Sequence, residues 1–157
     1  MNTQQPKAMQ RELVITRILD VPRELVFRAW TDPAYLVCWW GPKGFTNPVC
    51  EIDARPGGNL RIVMRGPDGS EYPMKGVFRE VQANKRLVFT NIAADAEGKH
   101  LLEGLTEVTF TEQSGKTKLT LQTRAVGKVS FADRMLAGME AGWTQSLERL
   151  EALLAKG

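Results

Sequence analysis

The spacing of apolar positions along this chain changes period twice, and the changes divide it into three parts. Glu12 to Leu19 (ELVITRIL) is aliphatic and β-branched and predicts a first strand. Asp20-Val21-Pro22 then opens a short helix whose apolar edge is Val26, Ala29 and Trp30. Asp32-Pro33 repeats the start signal, so residues 34–40 form a second helical piece at an angle to the first, ended by Trp39-Trp40-Gly41-Pro42. From Thr46 the period falls to two. Turns at Arg55-Pro56-Gly57-Gly58, Pro67-Asp68-Gly69, Asn84-Lys85, residues 94–99 and Gln113-Ser114-Gly115 cut the next eighty or so residues into strands near 47–54, 59–66, 72–82, 86–92, 104–112 and 117–125. Short turns between successive strands favour an antiparallel meander.

The third part, Ser130 to Ala155, has helical period. Ala132, Leu136, Met139, Trp143, Leu147, Leu150 and Leu154 recur every three or four residues and make one stripe. Asp133, Arg134, Thr144, Gln145, Glu148, Arg149 and Lys156 fall on the opposite side. Ser130 reads as the N-cap with Asp133 at N3, and a single helix of this extent would run roughly 37 Å. The strands alternate to match: Leu60, Ile62 and Met64 oppose Arg61 and Arg65; Thr106, Val108 and Phe110 oppose Glu107 and Thr109; Leu119 and Leu121 oppose Thr120 and Gln122. A sheet apolar on one face needs one covering layer, and the long helix supplies it. The expectation is an α+β domain over residues 11–157, preceded by a loose polar tail at 1–10.

Composition narrows the function classes. Of 157 residues, 43% are hydrophobic and 25% charged, ordinary values for one globular domain. The net charge of +3 comes from Lys and Arg interleaved with Asp and Glu, without a basic run, which argues against a nucleic-acid partner. No segment has the length and apolarity of a membrane span, and MNTQQPKAMQRE lacks a signal-like apolar core; the cytoplasm is the default location.

Cys38 and Cys50 read as two small buried apolar side chains, and with the lone His100 they do not assemble a metal set. No cofactor is expected either, since neither a phosphate loop nor a dinucleotide fingerprint occurs. Glu51, Asp53 and Glu107 are the nearest approach to an acid–base group, and alternation puts them on the outer face.

Several patches together resemble the bacterial homologues of the heat-shock-protein-90 ATPase activator, within the START-like (SRPBCC) superfamily. They are Asp32-Pro33, Trp40-Gly41-Pro42, residues 53–58, Asp68-Gly69, residues 76–81, residues 86–90, and Gly142-Trp143 with Leu147, Leu150 and Leu154. The resemblance spans about Glu12 to Leu154. It implies a helix-grip fold: a curved antiparallel sheet of six to seven strands wrapped around a long C-terminal helix, with two short helices after the first strand and an apolar cavity between the layers.

Three functions are then weighed. The first is binding of a small apolar or aromatic molecule in such a cavity, with Trp39, Trp40, Met64, Met74, Phe78, Phe89, Met135, Met139 and Trp143 as candidate lining. The second is a protein-interaction module related to chaperone ATPase activation, with a chaperone or a second copy as partner. For it the small ridge Gly138, Gly142, Ser146 offers close approach. The third, a cyclase- or hydrolase-type enzyme, has no catalytic set to support it.

Overall fold

The computed structural model describes residues 9–156. Strand β1 (Gln10–Leu19) leads into helices α1 (Arg23–Thr31) and α2 (Pro33–Trp39). Six strands follow: β2 (Thr46–Ile52), β3 (Asn59–Arg65), β4 (Glu71–Gln82), β5 (Arg86–Ala94), β6 (His100–Gln113) and β7 (Lys116–Gly127). Helices α3 (Ala132–Ala137) and α4 (Met139–Ala155) complete it. Of the polar tail expected at 1–10, residues 1–8 lie outside the described residues, and Gln10 already belongs to β1.

The seven strands form one antiparallel sheet in the order β1-β7-β6-β5-β4-β3-β2. β2 to β7 are the expected meander, and β1 closes onto β7 over ten residue pairs from Gln10↔Val126 to Leu19↔Thr117. The turns follow their residues: Gly57, Gly69 and Gly115 have positive φ, as does Asn84 in the turn between β4 and β5.

One row of small residues crosses the sheet. Leu60 pairs with Gly76, Asn91 with Gly104, and Gly104 with Ala125. A Cβ on Gly76 would run into the backbone carbonyl of Thr90, and one on Gly104 would sit 2.6 Å from Arg124 O. Only glycine lets adjacent backbones close in this way, and such positions are where sheets coil.

Beyond that row most of the inner face is buried. Ile15, Leu19, Leu87, Phe89, Val108, Phe110, Leu119 and Leu121 are enclosed under Val26, Ala29 and Trp30 of α1 and Leu147 and Leu150 of α4.

The C-terminal helix differs from expectation in two ways. It breaks at Gly138 into α3 and α4, and the Gly138 N–H is shared between Arg134 O and Met135 O at 3.2 Å each. Glycine is the weakest helix former after proline, so the break falls where propensity is lowest. α3 begins at Ala132 behind Phe131, which makes no side-chain cap; Ser130 does not cap it. Asp32, by contrast, caps α2 as its sequence promised, accepting from Ala34 N at 3.0 Å.

The polar face of α4 is solvated only in part. Arg149 Nη1 donates to Trp40 O (3.1 Å), Gly41 O (2.9 Å) and Pro42 O (3.0 Å), and Nη2 to Cys38 O (3.1 Å). Gln145 Oε1 accepts from Lys43 N, and the buried Ser146 Oγ accepts from Gly41 N while donating to Gly142 O. These are carbonyls and amides that the end of α2 leaves without intrahelical partners. Asn47 Nδ2 completes the set by donating to Val37 O and Trp40 O. Of the small ridge, Ser146 thus makes the close approach, to the Trp40-Gly41 backbone, while the Gly142 face is open.

Candidate functional site

α1 and α2 are short, and their aromatic residues converge because proline and the Asp32 cap fix the bend between them. Trp30 is the hub. Its ring meets Trp39 at 4.7 Å and Phe110 at 6.5 Å, both edge-on, and stacks on Trp143 at 6.2 Å with 20° between planes. Trp40 stands edge-on to Trp143 at 5.3 Å, and Phe78 to Phe89 at 5.8 Å. Offset and edge contacts of this kind add about 0.5–1.5 kcal/mol each beyond the area they bury.

The nine candidate residues divide into two groups. Trp39, Trp40, Phe78 and Phe89 are buried, with Trp39 Nε1 donating to Ala29 O at 2.9 Å. Met64, Met74 and Trp143 are half-buried and pack against the edge of the core, and Met135 and Met139 are half-buried at the α3–α4 junction. The second group shares its end of the molecule with Asn91, Ala93 and Leu102, which the register puts on the inner face and which also keep partial exposure. The covering of the inner face is therefore nearly complete over one half and partial over the other.

Sequence reasoning passed over a polar chain on this inner face. Thr123 and Thr106 are cross-strand partners with hydroxyls 2.8 Å apart, and Thr106 Oγ1 donates to Asn91 Oδ1 at 2.8 Å. Both threonines are buried. The signal was there: Leu87, Phe89, Asn91 and Thr106, Val108, Phe110 each alternate inward, with one polar member where an apolar one is expected. Trp30, read only as a helix edge, was the other omission. Its Nε1 is buried and has no acceptor among the described residues; Asn47 Oδ1 is likewise without a donor.

Charges lie elsewhere. Glu51 pairs with Arg61, Asp53 with Arg55, and Glu107 with Arg86. Arg11, which the register turns inward, is committed to Leu136 O, Ala137 O and the Glu140 carboxylate. His100 Nδ1 lies 2.8 Å from Glu103 Oε2, and among the described residues no three His, Cys, Asp or Glu side chains gather as a metal site. No helix among the described residues is long and apolar enough to cross a membrane.

The cysteines correct the sequence reading in part. Cys50 is half-buried, and desolvation, with Cys38 nearby as a second cause, pushes its thiol up to about 11; Cys38 is exposed rather than buried, because it closes α2 at the surface. Since the thiolate is the nucleophile, a maleimide at pH 8 is expected to label Cys38 and to reach Cys50 roughly a hundredfold more slowly than an ordinary thiol. Mass spectrometry of a labelling time course, native and in denaturant, checks this; two equal native rates would contradict it.

The comparisons agree with this architecture. The crystal structure of a Chromobacterium violaceum protein is similar at 28% identity and TM-score 0.79, over 90% of this chain and 95% of that one. The AHSA1 protein of Silicibacter pomeroyi is similar at 29% identity and TM-score 0.78, over 92% and 98%. A solution structure from Arthrobacter aurescens matches at 25% identity and TM-score 0.78, over 93% and 87%. No curated protein matches the chain. The fold supports a ligand-binding or interaction module in general. The family described as "Activator of Hsp90 ATPase homolog 1-like protein" matches residues 20–155, nearly the whole chain, and the chain belongs to that family.

Proposed function

We propose that the protein binds a small apolar or aromatic molecule between the sheet and α4. The observation that carries this reading is the partial exposure of Met64, Met74, Leu102 and Trp143, large apolar side chains at the edge of the core where burial would otherwise be complete. Methionine and tryptophan adapt to ligands of irregular shape, and apolar walls with few polar groups are the usual small-molecule surface.

A panel of flat aromatic probes should change tryptophan emission saturably. It should also raise the melting temperature by mass action, with a probe at a hundred times its Kd adding about 2.7 kcal/mol. Because Trp30, Trp39 and Trp40 also emit, the test compares wild type with Trp143→Phe, in which most of the signal should vanish while the fold persists. If no probe shifts either observable, the reading fails.

The alternative is an interaction module, for which the family description supplies the chaperone and the outer face of edge strand β1 a surface. Val14 is 65% exposed there and Ile18 50%. Native mass spectrometry separates the two: a retained mass of small-molecule size favours the carrier, and a retained chaperone favours the module.

A further inference from the structure

On that reading of the site, we infer that the molecule it binds carries a neutral hydrogen-bond acceptor, a ketone, ester or amide carbonyl, received by the side-chain amide of Asn91.

The direction of the polar chain decides this. Thr106 donates to Asn91 Oδ1, so its own oxygen is the acceptor for the Thr123 hydroxyl. Each hydroxyl has spent its one proton, and the chain ends with both Asn91 N–H groups facing outward from it. Among the described residues no acceptor meets Asn91 Nδ2. Gly104 is what leaves room there: a Cβ at that position would lie 3.0 Å from Nδ2. A second unmet group nearby is also a donor, the buried Nε1–H of Trp30, whose ring packs against Phe89, the cross-strand partner of Thr106. Asn91 is half-buried and its N–H groups are open to water, so an apolar molecule filling the space would strip that water. A donor desolvated without an acceptor is costly, and the bound molecule is the group that can supply one.

Charge decides between a carbonyl and a carboxylate. The inward positions around Asn91 are Met74, Gly76, Phe89, Ala93, Leu102 and Gly104, none of them ionisable. Arg11, the inward cation in the same row as Asn91, already holds two carbonyls and the Glu140 carboxylate, and Arg17, also inward, lies three rows away. A carboxylate would enter without a counter-charge, and burying an unpaired charge is far more costly than burying a carbonyl that accepts one hydrogen bond.

The test uses two probes of similar size, acetophenone and cumene, in which the carbonyl oxygen of the first is replaced by a methyl group and a hydrogen in the second. Calorimetric titration of the wild type should show acetophenone binding more tightly, even though cumene is the more hydrophobic. One hydrogen bond of ordinary strength corresponds to about a tenfold difference in Kd. Asn91→Leu should abolish that preference while cumene binding stays. Since Asn91→Leu also removes the acceptor of Thr106, Asn91→Asp serves as the second variant. It keeps an oxygen for Thr106 but presents no N–H, and acetophenone should lose at least tenfold there. Equal preference in wild type and both variants would overturn the carbonyl assignment and leave the cavity reading standing. Binding of neither probe to the wild type would overturn both.

Discussion

Gly76→Ala is expected to cost more than about 4 kcal/mol, a large share of the roughly 5–15 kcal/mol that stabilises a domain of this size. The added methyl has nowhere to go, because the atom it meets is the carbonyl oxygen of Thr90, part of the neighbouring strand rather than the tip of a flexible side chain. Relief would need β4 and β5 to separate where Thr90 Oγ1 already accepts from Val77 N at 2.9 Å. Gly142→Ala is the control with opposite sign. A Cβ there meets nothing within 4 Å, and alanine in a helix interior gains up to about 1 kcal/mol over glycine. Urea denaturation of the two variants checks both statements, and a Gly76→Ala protein as stable as wild type would mean the row of small residues is not where the strands are closest.

Removing the Arg149 guanidinium should be the next most damaging change. Arg149→Met keeps most of the side-chain stem but leaves the Cys38 and Gly41 carbonyls without their donor, and leaves Trp40 O to Asn47 and Pro42 O to the Phe45 amide alone. Hydrogen bonds to a charged group are worth about 1.5–3 kcal/mol, so a loss near 3 kcal/mol is expected after water takes over the exposed part. Arg149→Lys should recover only a fraction of it. An ammonium is a point of charge, whereas the planar fork spans carbonyls on both sides of Trp40. Denaturant midpoints together with near-ultraviolet circular dichroism, which reports on Trp40, would show the loss; full rescue by lysine would show that charge alone suffices.

The strands and turns were legible because alternation and turn chemistry are local. Leu60, Ile62 and Met64 turn inward and Arg61 and Arg65 outward as their order along the chain implies. Local signals also revealed the Asp32 cap. What a single residue's chemistry cannot reveal is its partner 100 residues away. Arg149 reads as a solvated helix charge until Cys38 to Pro42 are seen beneath it, and Gln145 likewise until Lys43 is. The break at Gly138 was hidden by the good helix formers on both sides. In the site, Met64, Met74 and Trp143 were visible as large apolar residues in excess of what a filled core needs. Asn91 and Thr106 were visible too, as polar interruptions of inward rows, but their value depends on hydrogen bonds that run across strands.

The pairing of β1 with β7 has a consequence for how the chain is made. Roughly a hundred residues separate the two strands, and at synthesis rates of about 5–20 residues per second β1 waits some 5–20 s for its neighbour. Through that interval it is an orphan strand with both edges open, and its sequence VITRIL is a fair template for pairing with another nascent chain. Arg11, Glu12 and Arg17 flank and interrupt the aliphatic run, as gatekeepers do. Replacing Glu12 would be felt first in the yield of soluble protein on expression, before any change in the stability of molecules that have folded, whereas replacing Arg11 also removes its hold on Leu136 O, Ala137 O and Glu140.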